Sequence, residues 1–214
     1  MGALEQPKRY TSDEFYELVK DKQGRYELID GVIYSLSDPE DADGKIELVD
    51  GVPYALAGAR LPHQMLVGRL FTQIDTYIRK NKGKCVPAIA PFDVRFEDGV
   101  TVQPDVMVIC DPDKIDDDLR CYGAPDFIIE VASSNLHYDL FYKQNLYRKY
   151  GVREYWVADP KQKMTYVFLF EKGNHIRLYP WNEPIPVGIY EDAPVTLSIN
   201  MAELLPEETP DVRH

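Results

Sequence analysis

Apolar residues recur at helical spacing in three stretches of the chain and at strand spacing in most of the remainder. Within Thr11–Lys20, Phe15, Leu18 and Val19 share one face, and Thr11 or Ser12 can cap that turn while Glu14 reaches back. Over Pro62–Lys82, Leu66, Leu70, Ile74 and Ile78 stand four apart, with Phe71 and Tyr77 widening the stripe. That pattern predicts the longest helix, and the cations Arg79, Lys80, Lys82 and Lys84 around Gly83 suit its C-terminal end. The third helix is expected over Asp139–Tyr150, with Leu140, Lys143, Leu146, Tyr147 and Tyr150 on its inner face and Gly151 as its stop.

The strand pattern begins with an internal echo. Arg25–Leu36 and Lys45–Leu56 agree at seven of twelve aligned positions, and each copy sets Asp-Gly between two β-prone runs. Both read as tight hairpins, joined by an exposed loop at Asp38–Gly44. Pro91–Glu97 alternates, Asp98-Gly99 turns the chain, and Val100–Cys110 follows as a strand whose apolar run from Val106 to Ile109 implies burial on both faces. Asp111–Arg120 is an acidic loop, and Phe127–Val131 a second buried strand. Glu154–Ala158 and Thr165–Phe170 form a pair around Asp159-Pro160. His175–Tyr179 and Val195–Ile199 are further strands, Met201–Leu205 is a closing turn, and the tail over 206–214 is frayed. Hairpins followed by a β-α-β passage predict an α/β (α+β) fold around a central mixed sheet flanked by helices. The expected organisation is one domain over 1–214, with the N-terminal helix and tandem hairpins at 11–56 and the core at 62–205.

Composition narrows the class of activity. At 214 residues and 44% hydrophobic the chain can bury a real core, and no apolar run approaches a membrane span. No signal-peptide pattern opens the chain, so a soluble, cytoplasmic protein is expected. The formal charge of −12 argues against coating nucleic acid by bulk charge. The basic residues are nonetheless clustered: five lie between Leu61 and Lys84 against Asp75 alone, and four between Lys143 and Arg153 with no acid. Cys85, Cys110 and Cys121 are odd in number and far apart, which reads as reduced thiols. Four histidines without a metal-ligand spacing speak against zinc, and no phosphate-loop, dinucleotide or serine-hydrolase motif is present.

Three polar residues fall where the pattern asks for apolar ones. Asp105 opens an apolar strand, Glu130 sits inside Phe127–Ala132, and Lys143 lies on the inner face of its helix. Each has an ordinary reading: Asp105 can cap a turn after Pro104, Glu130 can meet a structural arginine, and Asp139 with Lys143 has the spacing of a surface ion pair. Their joint order points elsewhere. Two carboxylates at neighbouring strand ends repel unless a divalent cation joins them, and a lysine completes the charge balance. Carboxylate oxygens suit magnesium or manganese, the ions of phosphoryl transfer.

Several strings extend that picture: Tyr-Glu-Leu-Ile-Asp-Gly, Leu-Pro-His-Gln, Ala-Pro-Phe-Asp-Val-Arg-Phe, Val-Gln-Pro-Asp-Val, Gly-Ala-Pro-Asp-Phe-Ile-Ile-Glu-Val-Ala-Ser and Gly-Val-Arg-Glu-Tyr-Trp-Val-Ala-Asp-Pro. In order and spacing, from about Tyr10 to Leu205, the chain resembles the Uma-two-type endonuclease family of the PD-(D/E)xK restriction-endonuclease-like superfamily. The resemblance implies Mg2+- or Mn2+-dependent hydrolysis of nucleic-acid phosphodiesters. It puts the first acidic ligand at Asp105 and the second at Glu130, with the Val131 carbonyl completing the metal set. Ala132 occupies the superfamily's usual lysine slot, and the resembling family draws its lysine from the following helix, which implies Lys143. The family's early glutamate is Glu27 or Glu47. Glu47 lies sixteen residues before His63, the family's interval, and is the choice.

Beyond these, Gln103 and Asp93 are expected to flank the site, although Asp93 also suits a basic partner. Asp139 is a further neighbour. His63 is either a phosphate contact at a helix N-terminus or a residue bonding the backbone there. His137 is expected to line the cleft. Tyr142, Tyr147 and Tyr150 are core, interface or base-stacking residues, and Trp156 is core. The expected partner is nucleic acid, DNA first, with a homodimer through the first hairpin's aromatics. The alternative is a non-catalytic interaction or scaffold module on the same fold.

Overall fold

The computed structural model describes residues 8–20, 26–35, 46–49, 52–55, 61–116, 120–132, 136–173 and 175–205. The loop expected at Asp38–Gly44 and the tail over 206–214 lie outside them. The fold is mixed α/β, with two six-stranded mixed sheets and a few helices. The described residues fall into two compact units, one within 1–59, 91–103 and 115–123, the other within 60–90, 104–114 and 124–214.

In the first unit, helix α1 (Ser12–Val19) is closed by the expected capping box: Glu14 N–H donates to Thr11 Oγ1, and Thr11 N–H to Glu14 Oε2. Strands β1 (Tyr26–Ile29) and β2 (Val32–Ser35) form the first hairpin. Asp30 and Gly31 both take positive φ, 49° and 76°, as a tight hairpin turn requires. A side chain at Gly31 would also meet Arg9 Cβ at 2.8 Å. The second copy gives β3 (Ile46–Val49) paired with β4 (Val52–Ala55) in the same register, Glu47 opposite Tyr54 as Glu27 is opposite Tyr34. Tyr26 is buried with Phe15, Leu28 and Ile33, so it is a core residue and no interface aromatic.

The first large sheet runs β2-β1-β7-β6-β10-β9, where β6 is Asp93–Glu97, β7 Val100–Val102, β9 Ile115–Asp116 and β10 Arg120–Tyr122. β10 is parallel to β6 and the other pairs are antiparallel.

The second unit holds α2 (Leu61–Lys80), whose buried stripe Leu66, Leu70, Ile74 and Ile78 is the expected one, with Val67 added. Its sheet runs β14-β13-β12-β11-β8-β5, comprising β5 (Val86–Ile89), β8 (Val106–Ile109), β11 (Phe127–Val131), β12 (Glu154–Asp159), β13 (Met164–Leu169) and β14 (His175–Pro180). β8, β11 and β12 are buried at every position. Their alternate residues serve two faces. Val106, Val108, Phe127, Ile129, Val131, Trp156 and Ala158 join the α2 stripe in one core. On the other face α3 (Gln144–Tyr150) lays Tyr147 edge-on against Tyr155, 4.9 Å between centroids, and Tyr155 stacks on Phe168. Gly151 ends α3 in the left-handed conformation, φ 89°. A small hairpin, β15 (Pro184–Pro186) with β16 (Ser198–Asn200), completes the unit.

Three expectations are corrected. The strand expected over Val100–Cys110 is two strands, β7 in one sheet and β8 in the other. Pro104 interrupts the run because it has no N–H to donate and constrains the residue before it. The strand expected at Val195–Ile199 starts at Ser198, and two of its partner's three residues are proline, which hides that partner from pattern reading. Finally, Cys85 and Cys110 form a disulfide, while Cys121 remains a buried thiol. Twenty-five residues separate the bridged pair, but the antiparallel register Val86↔Ile109 sets the two directly opposite one step further along. No helix among the described residues is long and apolar enough to cross a membrane.

Candidate active site

β8 and β11 are antiparallel with Ile129 opposite Val106, so one step beyond that pair Asp105 stands opposite Glu130. β11 alternates: Phe127, Ile129 and Val131 enter the α2-side core, and Glu130 projects to the face that α3 covers. Both carboxylates are 4% exposed. A carboxylate at that depth needs partners, since desolvating it unpaired costs several kcal/mol, to order of magnitude.

Both have them. Glu130 Oε1 accepts from Lys143 Nζ at 2.9 Å and from the Tyr147 hydroxyl at 2.7 Å. Its Oε2 faces the Asp105 backbone N–H at 3.4 Å. Asp105 Oδ2 accepts from the Val131 N–H at 2.9 Å and lies 3.1 Å from His63 Nε2, on the first turn of α2. The structure therefore brings Asp105, Glu130, Val131, Lys143 and His63 together. Tyr147 joins them, a role the sequence reading did not give it. The signal available was its position four residues after Lys143 on the same inner face.

Lys143 arrives by an unusual route. Tyr138–Lys143 is a π-helical turn that runs directly into α3. The helix expected to begin at Asp139 thus opens with a wider turn, a feature frequent at functional sites. The Tyr155 hydroxyl donates to the Asp139 carbonyl at 3.1 Å and ties this turn to β12. Asp139 contributes that backbone carbonyl, and His137 is exposed and stacked on Phe141.

Gln103 and Asp93 belong to the first unit, where the Gln103 amide donates to Asp93 Oδ1 at 2.9 Å. Asp93 thus bonds an amide and not the basic residue expected. The pair lines a small cavity of about 150 Å³ with Phe15, Tyr16, Val19 and Tyr26. Burial, with the Asp93 charge beside it, pushes the Tyr16 phenol up to about 12. In the same unit Glu27 is fully buried and its Oε1 accepts from the Gln103 N–H at 3.1 Å. Glu47 lies on β3, and its side chain lies outside what the structure describes.

Among the described residues no group of three or more histidine, cysteine or acidic side chains gathers as for a metal. The donor chemistry at Asp105 and Glu130 still fits a hard divalent cation. Magnesium keeps several waters and is held by one or two carboxylates, so a full protein cage is not required.

The chain matches the model of the Uma2 family, described as "Putative restriction endonuclease", over residues 34–202. No curated protein is a significant match. Among solved structures it is similar to one described as a putative nuclease belonging to DUF820 from Anabaena variabilis, with a TM-score of 0.58. The two share 16% identity, and the match covers 91% of this chain and 96% of that one. At that identity the likeness carries a nuclease-like fold and nothing of the chemistry. Since the family match takes in every segment of the Asp105–Glu130–Lys143 network and most of the chain, this protein belongs to the Uma2 family.

Proposed function

We propose that the chain is a divalent-metal-dependent endonuclease of the PD-(D/E)xK type that hydrolyses nucleic-acid phosphodiesters, DNA first among them. The observation that carries this reading is the pairing of two buried carboxylates, Asp105 and Glu130, at adjoining strand positions, with a buried lysine on one of them.

Asp105, one oxygen of Glu130 and the Val131 carbonyl would hold Mg2+ or Mn2+. When bound, the ion offsets phosphate charge and lowers the pKa of a coordinated water. Lys143 orients the attacking water and offers an ammonium to the charge that builds on the phosphoryl oxygens. Tyr147 also donates to Glu130 Oε1, which leaves Oε2 directed toward Asp105. His63 fixes the Asp105 carboxylate and, at the start of a helix, is placed to meet an anionic phosphate. Glu47 is proposed as the additional acid of the reaction.

A second reading has one observation in its favour. Lys143 and Tyr147 already satisfy Glu130 Oε1, as a purely structural buried ion pair would require. In that case the chain is a scaffold module. Incubation with single-stranded DNA, duplex DNA and RNA in Mg2+ or Mn2+ separates the two. The expected result is cleavage of at least one substrate, abolished by EDTA. Intact substrates with folded protein in both metals would overturn the nuclease reading.

A further inference from the structure

The π-helical turn that delivers Lys143 also builds an aromatic shelf. His137 stacks on Phe141, 4.5 Å between centroids at 29°, and Tyr138 stacks on Tyr142, 5.2 Å apart at 10°. The two stacked pairs start at consecutive positions of the turn. Phe141 is 57% exposed and Tyr142 38%. The next residue, Lys143, turns inward to Glu130. Shelf and buried site are thus consecutive in the chain, and Lys143 Nζ lies 5.8 Å from the centre of the Tyr138 ring.

Large rings held in water on a short turn forgo the burial that normally stabilises them. The turn itself carries one acid, Asp139, and the charge that follows it along the chain is positive. Arg148 and Lys149 are exposed on α3, Lys149 Nζ caps the Tyr150 ring at 4.6 Å, and no acid occurs from Lys143 to Arg153. Exposed parallel rings bordered by cations are what binders of single-stranded nucleic acid combine, because every unpaired base offers a face to stack while cations follow the phosphates. A duplex offers its bases to such a shelf only at the ends. Duplex affinity would rest mainly on phosphate charge, which a chain at −12 supplies poorly.

We infer that Phe141 and Tyr142 form a stacking platform for unpaired bases, and that the substrate presented to the Asp105–Glu130 site is single-stranded nucleic acid. The substrate assignment rests on the nuclease reading of that site; the binding platform does not.

The test is fluorescence anisotropy in EDTA, where no metal-dependent cleavage occurs, with a labelled short oligothymidylate, an abasic strand of the same length and a short duplex. Wild type is expected to bind the oligothymidylate at least about tenfold more tightly than either other probe. Phe141→Ala/Tyr142→Ala is expected to lose about tenfold or more on the oligothymidylate alone, as the removal of base-stacking rings does. Both residues are exposed, so the variant's unfolding midpoint should stay near wild type. Equal affinity for the oligothymidylate and the abasic strand, an unaffected double variant, or no binding of any strand would overturn the inference. So would a change of oligomeric state in the double variant, which would make the shelf a contact between copies of the chain. Tight, ring-dependent binding without cleavage in Mn2+ would sink the nuclease reading and leave the platform standing. Cleavage unchanged by the double variant on single strand and duplex alike would do the reverse.

Discussion

Glu130→Ala should lower the stability of the fold by about 3–5 kcal/mol, the cost of stranding one partner of a buried ion pair. Lys143 is 3% exposed and Tyr147 fully buried, and both donate to Glu130 Oε1. Removing the carboxylate leaves an ammonium and a phenol facing a cavity. Neither can turn to solvent, because Lys143 is held between the π-helical turn and β11 and Tyr147 is wedged against Tyr155. Replacing both charges in Glu130→Leu/Lys143→Met should restore most of the loss, since a buried pair exchanged for apolar residues of similar volume is often neutral. Denaturant unfolding of the single and double variants measures this. A single-variant loss under about 1 kcal/mol would mean that Lys143 reaches water after all.

Asp105→Asn should lower metal-dependent cleavage by roughly a thousandfold, the equivalent of about 4 kcal/mol in barrier height. Asparagine keeps one side-chain oxygen, which can take the place of Oδ2 against both the Val131 N–H and His63, so the ends of β8 and β11 stay joined. What it removes is a negative charge beside Glu130. The unfolding midpoint should therefore move far less than the rate. If cleavage persists at a comparable rate, Asp105 holds no metal and its buried network is structural.

Much of this was legible in the chain because burial leaves a strong mark. The α2 stripe, the Asp30-Gly31 turn and the capping box at Thr11 are local patterns, and each appears where spacing puts it. Asp105, Glu130 and Lys143 were visible as polar residues in apolar surroundings, and all three are buried. Pairing between distant strands leaves no such mark. The division of Val100–Cys110 between two sheets turns on one proline, and the Cys85–Cys110 bridge on a register between strands that no spacing reveals. Gln103 and Asp93 show the same limit. They stand two and twelve residues before Asp105 in sequence, yet they bond to each other beside Tyr16 in the first unit. Tyr147 was hidden for the opposite reason. A tyrosine on the inner face of a helix looks like core, and it is core, with its hydroxyl donating to the buried Glu130 carboxylate.

The central claim is that Asp105 and Glu130 hold a divalent cation together. Calorimetric titration of Mn2+ into wild type and Asp105→Asn tests it without any nucleic acid. The account predicts saturable binding in wild type that weakens at least about tenfold, or 1.4 kcal/mol, in the variant. Equal binding in both proteins, or none in wild type, would contradict it.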